Sequence, residues 1–125
     1  MLEENMKKLV VLIAIVTLFL TACGSENSYE TIEIDTIPQK IEEGYQVLDV
    51  REPSEYDMGH IVGAENKPLS ELKAGNFEGL DSSEKYVVIC QSGNRSKEAS
   101  EILTGEEYSI LNVSTGMSSW TGEIE

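Results

Sequence analysis

The chain has 125 residues, 9 of them basic and 23 acidic, for a formal net charge of −14, and it carries one histidine and two cysteines. A balance this acidic excludes nucleic acid and anionic lipid headgroups as electrostatic partners. With so few nitrogen and sulfur ligands, a closed four-ligand zinc site would have to borrow two carboxylates, and no metal is expected.

Met6-Lys7-Lys8 is followed by the apolar run Leu9 to Leu20 and by Leu20-Thr21-Ala22-Cys23. Two lysines, an apolar stretch shorter than the roughly 20 residues of a spanning helix, and small residues at its end make a secretory leader. The tetrad resembles the lipobox of bacterial lipoproteins, in which cleavage precedes the cysteine and that cysteine carries the lipid. An uncleaved N-terminal anchor is the other reading. Residues 1–22 are therefore expected to be a cleaved signal peptide, 23–29 a tether lipidated at Cys23, and 30–125 one domain. That domain is expected on the extracytoplasmic side of the cell membrane, held by acyl chains and not by charge. The leader carries two charges of each sign, so its removal leaves the balance at −14. It also leaves Cys90 as the one free thiol, which rules out an intrachain disulfide in the processed protein.

Thr31 to Ile34 alternates polar and apolar residues and predicts a half-exposed edge strand. Thr36 with Gln39 predicts a capping box opening a short helix, with Pro38 in its first turn and Gly44 beyond its end. Val47 to Val50 is a short apolar run between turn signals and predicts a buried strand of a parallel sheet. Arg51 to Tyr56 leaves its carboxyl end, with Glu52 and Glu55 as surface or local hydrogen-bonding groups. Gly59 to Ala64 is a turn-rich connection into a short strand near Ala64 to Asn66. A weak helix around Ser70 to Lys73 and a loop through Gly75 and Gly79 lead to the strand Tyr86 to Cys90. In the helix that follows, Ala99, Ile102 and Leu103 share one face, and Gly105 is its expected stop. Tyr108 to Val113 predicts the next strand, and a turn from Gly116 to Trp120 closes the domain. Strands alternating with short helices predict an α/β fold with a mostly parallel sheet, whose ligands sit beyond the carboxyl ends of the strands. Cys90 and Asp49-Val50-Arg51 both fall on that rim.

The stretch Cys90-Gln91-Ser92-Gly93-Asn94-Arg95-Ser96 stands out. An apolar strand delivers a cysteine into a polar loop that opens a helix, so backbone N–H groups and a positive helix end converge on one point. A thiol titrates near about 8.5, and a helix N-terminus with an arginine close by lowers that value and enriches the thiolate. Arg95 is expected to be that arginine. A small buried core cysteine ending a strand is the plain alternative.

Read with the upstream VLDVREPSEYDMGHIVGA and the downstream GMSSW, the CQSGNRS block resembles a single rhodanese domain, a sulfurtransferase module, over Ile34 to Gly122. The resemblance implies a rhodanese-like sheet of about five strands flanked by short helices on both faces. It implies a monomer without a cofactor in which the Cys90 thiolate takes a sulfane sulfur from thiosulfate or another persulfide and passes it to a small thiol or a protein. Backbone N–H groups from Gln91, Ser92, Gly93 and Asn94 to Arg95 would cradle the persulfide. Asp49 and Arg51 would be an architectural ion pair, and His60 a structural histidine and not the base of a Cys–His enzyme. Trp120 is a closing core residue or, less simply, a substrate platform. Two other classes stay open: a phosphatase or arsenate reductase, whose cysteine-to-arginine loops carry five intervening residues where this chain has four, and a non-catalytic or redox-sensing module. Thr115 stands where the family usually has a glycine before Gly116-Met117, and a β-branched residue in a turn of positive φ would reshape the rim.

Overall fold

Apolar residues are packed into short runs in this chain, so most of its strands are covered on both faces. The computed structural model describes residues 2–8, which are helical, and residues 28–125. The expected cleavage site and Cys23 lie outside the described residues. Five strands, β1 (Glu30–Ile32), β2 (Gln46–Asp49), β3 (Glu65–Asn66), β4 (Lys85–Cys90) and β5 (Ser109–Gly116), form one sheet in the order β1-β5-β4-β2-β3. Every pairing in it is parallel. The helices α1 (Ile37–Glu42), α2 (Pro53–Asp57), α3 (Leu69–Lys73) and α4 (Asn94–Gly105) alternate with the strands.

The central strand β4 divides the core by its period of two. Tyr86, Val88 and Cys90 point into one layer with Leu48, Leu72, Ala99 and Leu103, under α3 and α4. Val87 and Ile89 point into the other with Ile32, Ile37, Val47 and Val113, against α1 and the Ile61–Ala64 connection. Buried polar side chains interrupt this pattern, and one of them joins three elements. Asn112, fully buried on β5, faces Thr31 of β1 in the register. Its Nδ2 donates to Thr31 Oγ1 at 3.3 Å, and its Oδ1 accepts from Ser100 Oγ of α4 at 3.3 Å.

Several boundaries differ from the sequence reading. Thr36 does not cap a helix, because its hydroxyl donates back to Glu33 O at 2.6 Å; Ile34–Thr36 forms a 3-10 turn in place of the strand end and the capping box. Residues Pro53–Asp57, expected as an irregular exit, form α2, with proline at its start and a reciprocal Glu52–Glu55 capping box. Gly105 is the last residue of α4, and the left-handed position after the helix is taken by Glu107 at φ 67°. Strand β5 runs on to Gly116, and β4 and β5 change register between Val88 and Cys90. That irregularity places Ser114 to Gly116 directly against the loop after Cys90.

Candidate active site

Cys90 ends β4 with its side chain 1% exposed, and α4 begins four residues later at Asn94. The reversal between them passes through Gly93, whose φ of 103° suits glycine, and a Cβ there would lie 2.6 Å from Ser114 O. Gly93 is thus needed both for its conformation and for its closeness to β5. Gly93 N–H donates to Cys90 Sγ at 3.1 Å. On the far side, Ser118 N–H and Ser118 Oγ both donate to Gln91 O, at 3.1 and 2.9 Å, and pin the loop to the turn after β5. Thr115 continues the strand, and no positive φ occurs there, so the expected strain of a β-branched turn residue is absent.

Burial pushes the Cys90 thiol up. The Ser96 hydroxyl and the N–H groups of Ser96, Gly93 and Ser92 outweigh it, so the thiol lies below its ordinary value. Ser96 Oγ is buried, donates to Gly93 O at 3.2 Å and lies 3.5 Å from Val113 O. Arg95, expected to lower the thiol, has its guanidinium on Glu55 instead, at 2.5 and 2.9 Å. Glu55 is the largest cause of a raised Arg95 pKa, and the charge of Cys90 contributes less. Through the same contact, Arg95 holds the Glu55 carboxyl at about 2.

The second strand end supports the loop from the side. Asp49 takes Arg51 Nε and Nη2 in a bidentate pair at 2.7 to 3.1 Å, with both side chains buried. Arg51 then donates through Nη1 to Gln91 Oε1 at 3.2 Å and through Nη2 to Gly59 O at 2.8 Å. Asn66 fastens the strand end by donating to the carbonyls of Asp49 and Arg51, both at 2.9 Å. His60 stacks on Tyr56 with ring centroids 3.6 Å apart, has Nδ1 2.9 Å from Tyr56 O, and pairs its backbone with Glu125. It ties the C-terminal segment down and belongs to that wall. Among the described residues, no group of three or more histidine, cysteine or carboxylate side chains could hold a metal.

Beside the loop lies an open cleft of about 510 Å³, lined by the polar Arg51, Glu55 and Gln91 and by the apolar Met58, Trp120 and Ile124 among others. Cys90 itself does not line it; Gln91, the next residue, does. Two of the residues that shape the site were not assigned to it from the sequence. Ser96 is the second serine of CQSGNRS and reads as a helix residue. Glu55 meets Arg95 across 40 positions, for which the only local hint was the E-P-x-E pattern of a capped short helix.

A family model for the rhodanese-like domain matches residues 34–123. The chain is 36% identical over 107 residues to the Bacillus subtilis protein named "Putative sulfur carrier protein YrkF", covering 82% of this chain and 57% of that one. It is 36% identical over 100 residues to "Putative sulfurtransferase YtwF" of the same organism, covering 77% of this chain and 96% of YtwF. The chain therefore spans little more than half of YrkF and nearly all of YtwF. Among solved structures, a rhodanese-related protein from Thermoplasma volcanium superposes with a TM-score of 0.71 at 37% identity, covering 78% of this chain and 98% of that one. With the family model spanning nearly the whole described domain and a relative matched along almost its full length, the chain belongs to the rhodanese-like domain family.

Proposed function

We propose that the protein is a sulfurtransferase that carries a sulfane sulfur on Cys90. The observation that supports this most is the seat of the thiol: a buried sulfur accepting the Gly93 N–H at 3.1 Å, with neighbouring donors that lower its pKa despite burial. In the first half-reaction the Cys90 thiolate attacks the outer sulfur of the donor. A new S–S bond forms on Cys90, the donor S–S bond breaks, and its electron pair leaves on sulfite from thiosulfate or on a thiolate from a persulfide. In the second, an acceptor nucleophile takes the outer sulfur and the electron pair returns to Cys90 Sγ. The terminal sulfur carries negative charge between the two steps, and preorganised N–H donors stabilise such a charge at no cost in reorganisation. Four residues between Cys90 and Arg95, and an arginine already held by Glu55, favour a single sulfur over a tetrahedral phosphate at this loop.

Residues 6–24 support export and lipid attachment at Cys23, with the domain as an anchored monomer outside the cytoplasmic membrane. In that reading Cys23→Ala accumulates unprocessed precursor, and a processed, released domain from the variant would count against it. The transferase reading is tested by intact mass. Incubation with thiosulfate or a low-molecular-weight persulfide should add the mass of one sulfur, cyanide should remove it as thiocyanate, and Cys90→Ser should do neither. Cyanide-releasable sulfur on Cys90→Ser equal to wild type would place the chemistry elsewhere.

A further inference from the structure

The two arginines at the loop are each neutralised by a carboxylate. Arg51 lies in a buried pair with Asp49 at 2.7 Å, and Arg95 gives Nη1 and Nη2 to the two carboxylate oxygens of Glu55. The pairs face the cleft differently. Arg51 lines it while Asp49 is fully buried and does not, whereas Glu55 lines it and Arg95 does not. In the second pair the carboxylate is therefore the member that an incoming molecule meets. Among the described residues, no lysine lines the cleft. The charge of the Cys90 thiolate acts on Arg95, so whatever neutralises this arginine is felt where the sulfur reacts.

The other groups of the cleft are uncharged. Arg51 Nη1 donates to Gln91 Oε1 at 3.2 Å, and because arginine carries only donors this contact fixes the amide, leaving Nε2 at its other end as a neutral donor. Gln91 lines the cleft together with the exposed Met58 and Ile124 and with Met117 and Trp120. Such walls suit an organic substituent and a single hydrogen-bonded oxygen. They hold no free cation for a dianion, in a chain of net charge −14.

We infer that Glu55 is a specificity-determining residue: by holding Arg95 it turns the site away from the thiosulfate dianion and toward sulfur donors with at most one negative charge and an organic group on the leaving end. Thiosulfonates and alkyl persulfides share that chemistry. This rests on the sulfurtransferase reading above. With a thiosulfonate, the Cys90 thiolate attacks the outer sulfur, a new S–S bond forms on Sγ, the donor S–S bond breaks, and its electron pair leaves on a sulfinate. With an alkyl persulfide the pair leaves on a thiolate. Either departing group carries one negative charge, where thiosulfate would release the sulfite dianion, and no oxidant or reductant enters.

Methanethiosulfonate and thiosulfate make a matched pair of probes, because each delivers one sulfur from a tetrahedral end and a methyl group in the first replaces a charged oxygen in the second. The full chain in nanodiscs of zwitterionic lipid is assayed with each donor, with cyanide as acceptor and thiocyanate as the product measured. Glu55→Gln should raise kcat/KM for thiosulfate about fivefold and for methanethiosulfonate less than about twofold at low ionic strength. Glu43→Gln makes the same change in net charge beyond the end of α1, before β2 and so at the amino ends of the strands; it should leave the donor ratio where it was. In the wild-type protein, added salt should speed the thiosulfate reaction more than the methanethiosulfonate one, and this difference should shrink in Glu55→Gln. A donor ratio unchanged in Glu55→Gln, or shifted equally by Glu43→Gln, would overturn the inference. So would a wild-type thiosulfate rate that falls with salt, since a free positive charge would then be receiving the dianion. Failure of both donors to give thiocyanate through Cys90 would instead overturn the transferase reading on which it stands.

Discussion

Gly116 is where the sheet touches the loop, and one added methyl group there probes the whole arrangement. Its φ of −170° is extended backbone open to any residue, so space and not conformation requires the glycine. A Cβ at this position would lie 2.5 Å from Gln91 O and closer still to Cys90 O and the Gln91 carbonyl carbon, against the 3.0 Å that real Cβ atoms keep. All three atoms are backbone, so no side chain can swing aside and the loop must retreat by about 0.5 Å or more. Overpacking of this kind costs about 1–3 kcal/mol, and in a domain of about 100 residues each kcal/mol lowers Tm by roughly 4–8 °C. The retreat also stretches the 3.1 Å contact from Gly93 N–H to Cys90 Sγ, so the thiol should rise toward its ordinary value. Gly105→Ala is the matched control, because nothing lies within 4 Å of its Cβ and a helical glycine replaced by alanine gains about 0.5–1 kcal/mol. Thermal melts and pH-dependent alkylation of Cys90 measure both effects. A Gly116→Ala protein that melts with wild type and alkylates on an unshifted pH profile would refute the steric reasoning.

Ser96→Ala removes the side-chain donor that most lowers the Cys90 thiol, so the alkylation profile should move to higher pH and the thiolate present at neutral pH should fall; an unmoved profile would assign the depression to the backbone alone. Glu55→Gln should cost less than about 1 kcal/mol at neutral pH, because each side chain of the pair is about one-third exposed. Since the Glu55 carboxyl sits at about 2 against an ordinary 4.5, the contribution is complete above the ordinary value and lost as pH falls through about 2; the gap in urea midpoint between variant and wild type should close over that window, and a constant gap would mean the charge is not what is lost. Arg51→Ala leaves the Asp49 carboxylate buried and unpaired and should cost about 3–5 kcal/mol in urea unfolding. The double variant Asp49→Leu/Arg51→Met should recover much of that stability without restoring sulfur transfer, because Gln91 and Gly59 still lose the arginine.

The sheet was legible because its strands announce themselves. Val47–Val50, apolar but for Asp49, and the apolar run Tyr86–Cys90 are short segments between turn residues, the pattern of strands in a doubly covered parallel sheet. The rim was legible for the same reason, since Asp49 and Cys90 each end one of them. Less visible was α2, because Glu52-Pro53 reads as an exit loop until Glu55 is seen to cap back onto it. Thr36 misled because its hydroxyl had a nearer carbonyl to bond than the helix N–H it was expected to serve. The partner of Arg95 could not be read at all. A charge in the loop was evident, but 40 residues separate it from Glu55, and only the packing of α2 beside the loop brings them together. Ser96 was hidden by its own ordinariness as a small residue in a helix's first turn, and its significance lies entirely in the direction it faces.

The buried Asn112 decides how the weakest strand of the sheet is seated. β1 is three residues long, pairs only with β5, and buries only Ile32, so its own hydrophobic pattern says little about where it should stop along its neighbour. A slip of one position would bring Glu30 or Ile32 opposite Asn112 in place of Thr31, and the amide would be stranded in the core. An unsatisfied buried amide costs about 1–3 kcal/mol, as much as burying one isoleucine contributes. A misplaced β1 therefore forfeits everything it gained by pairing. The amide acts as a gauge that accepts one alignment and rejects its neighbours, and Asn112→Val, for all its better match to an apolar core, is the change that would leave the edge strand free to settle out of step.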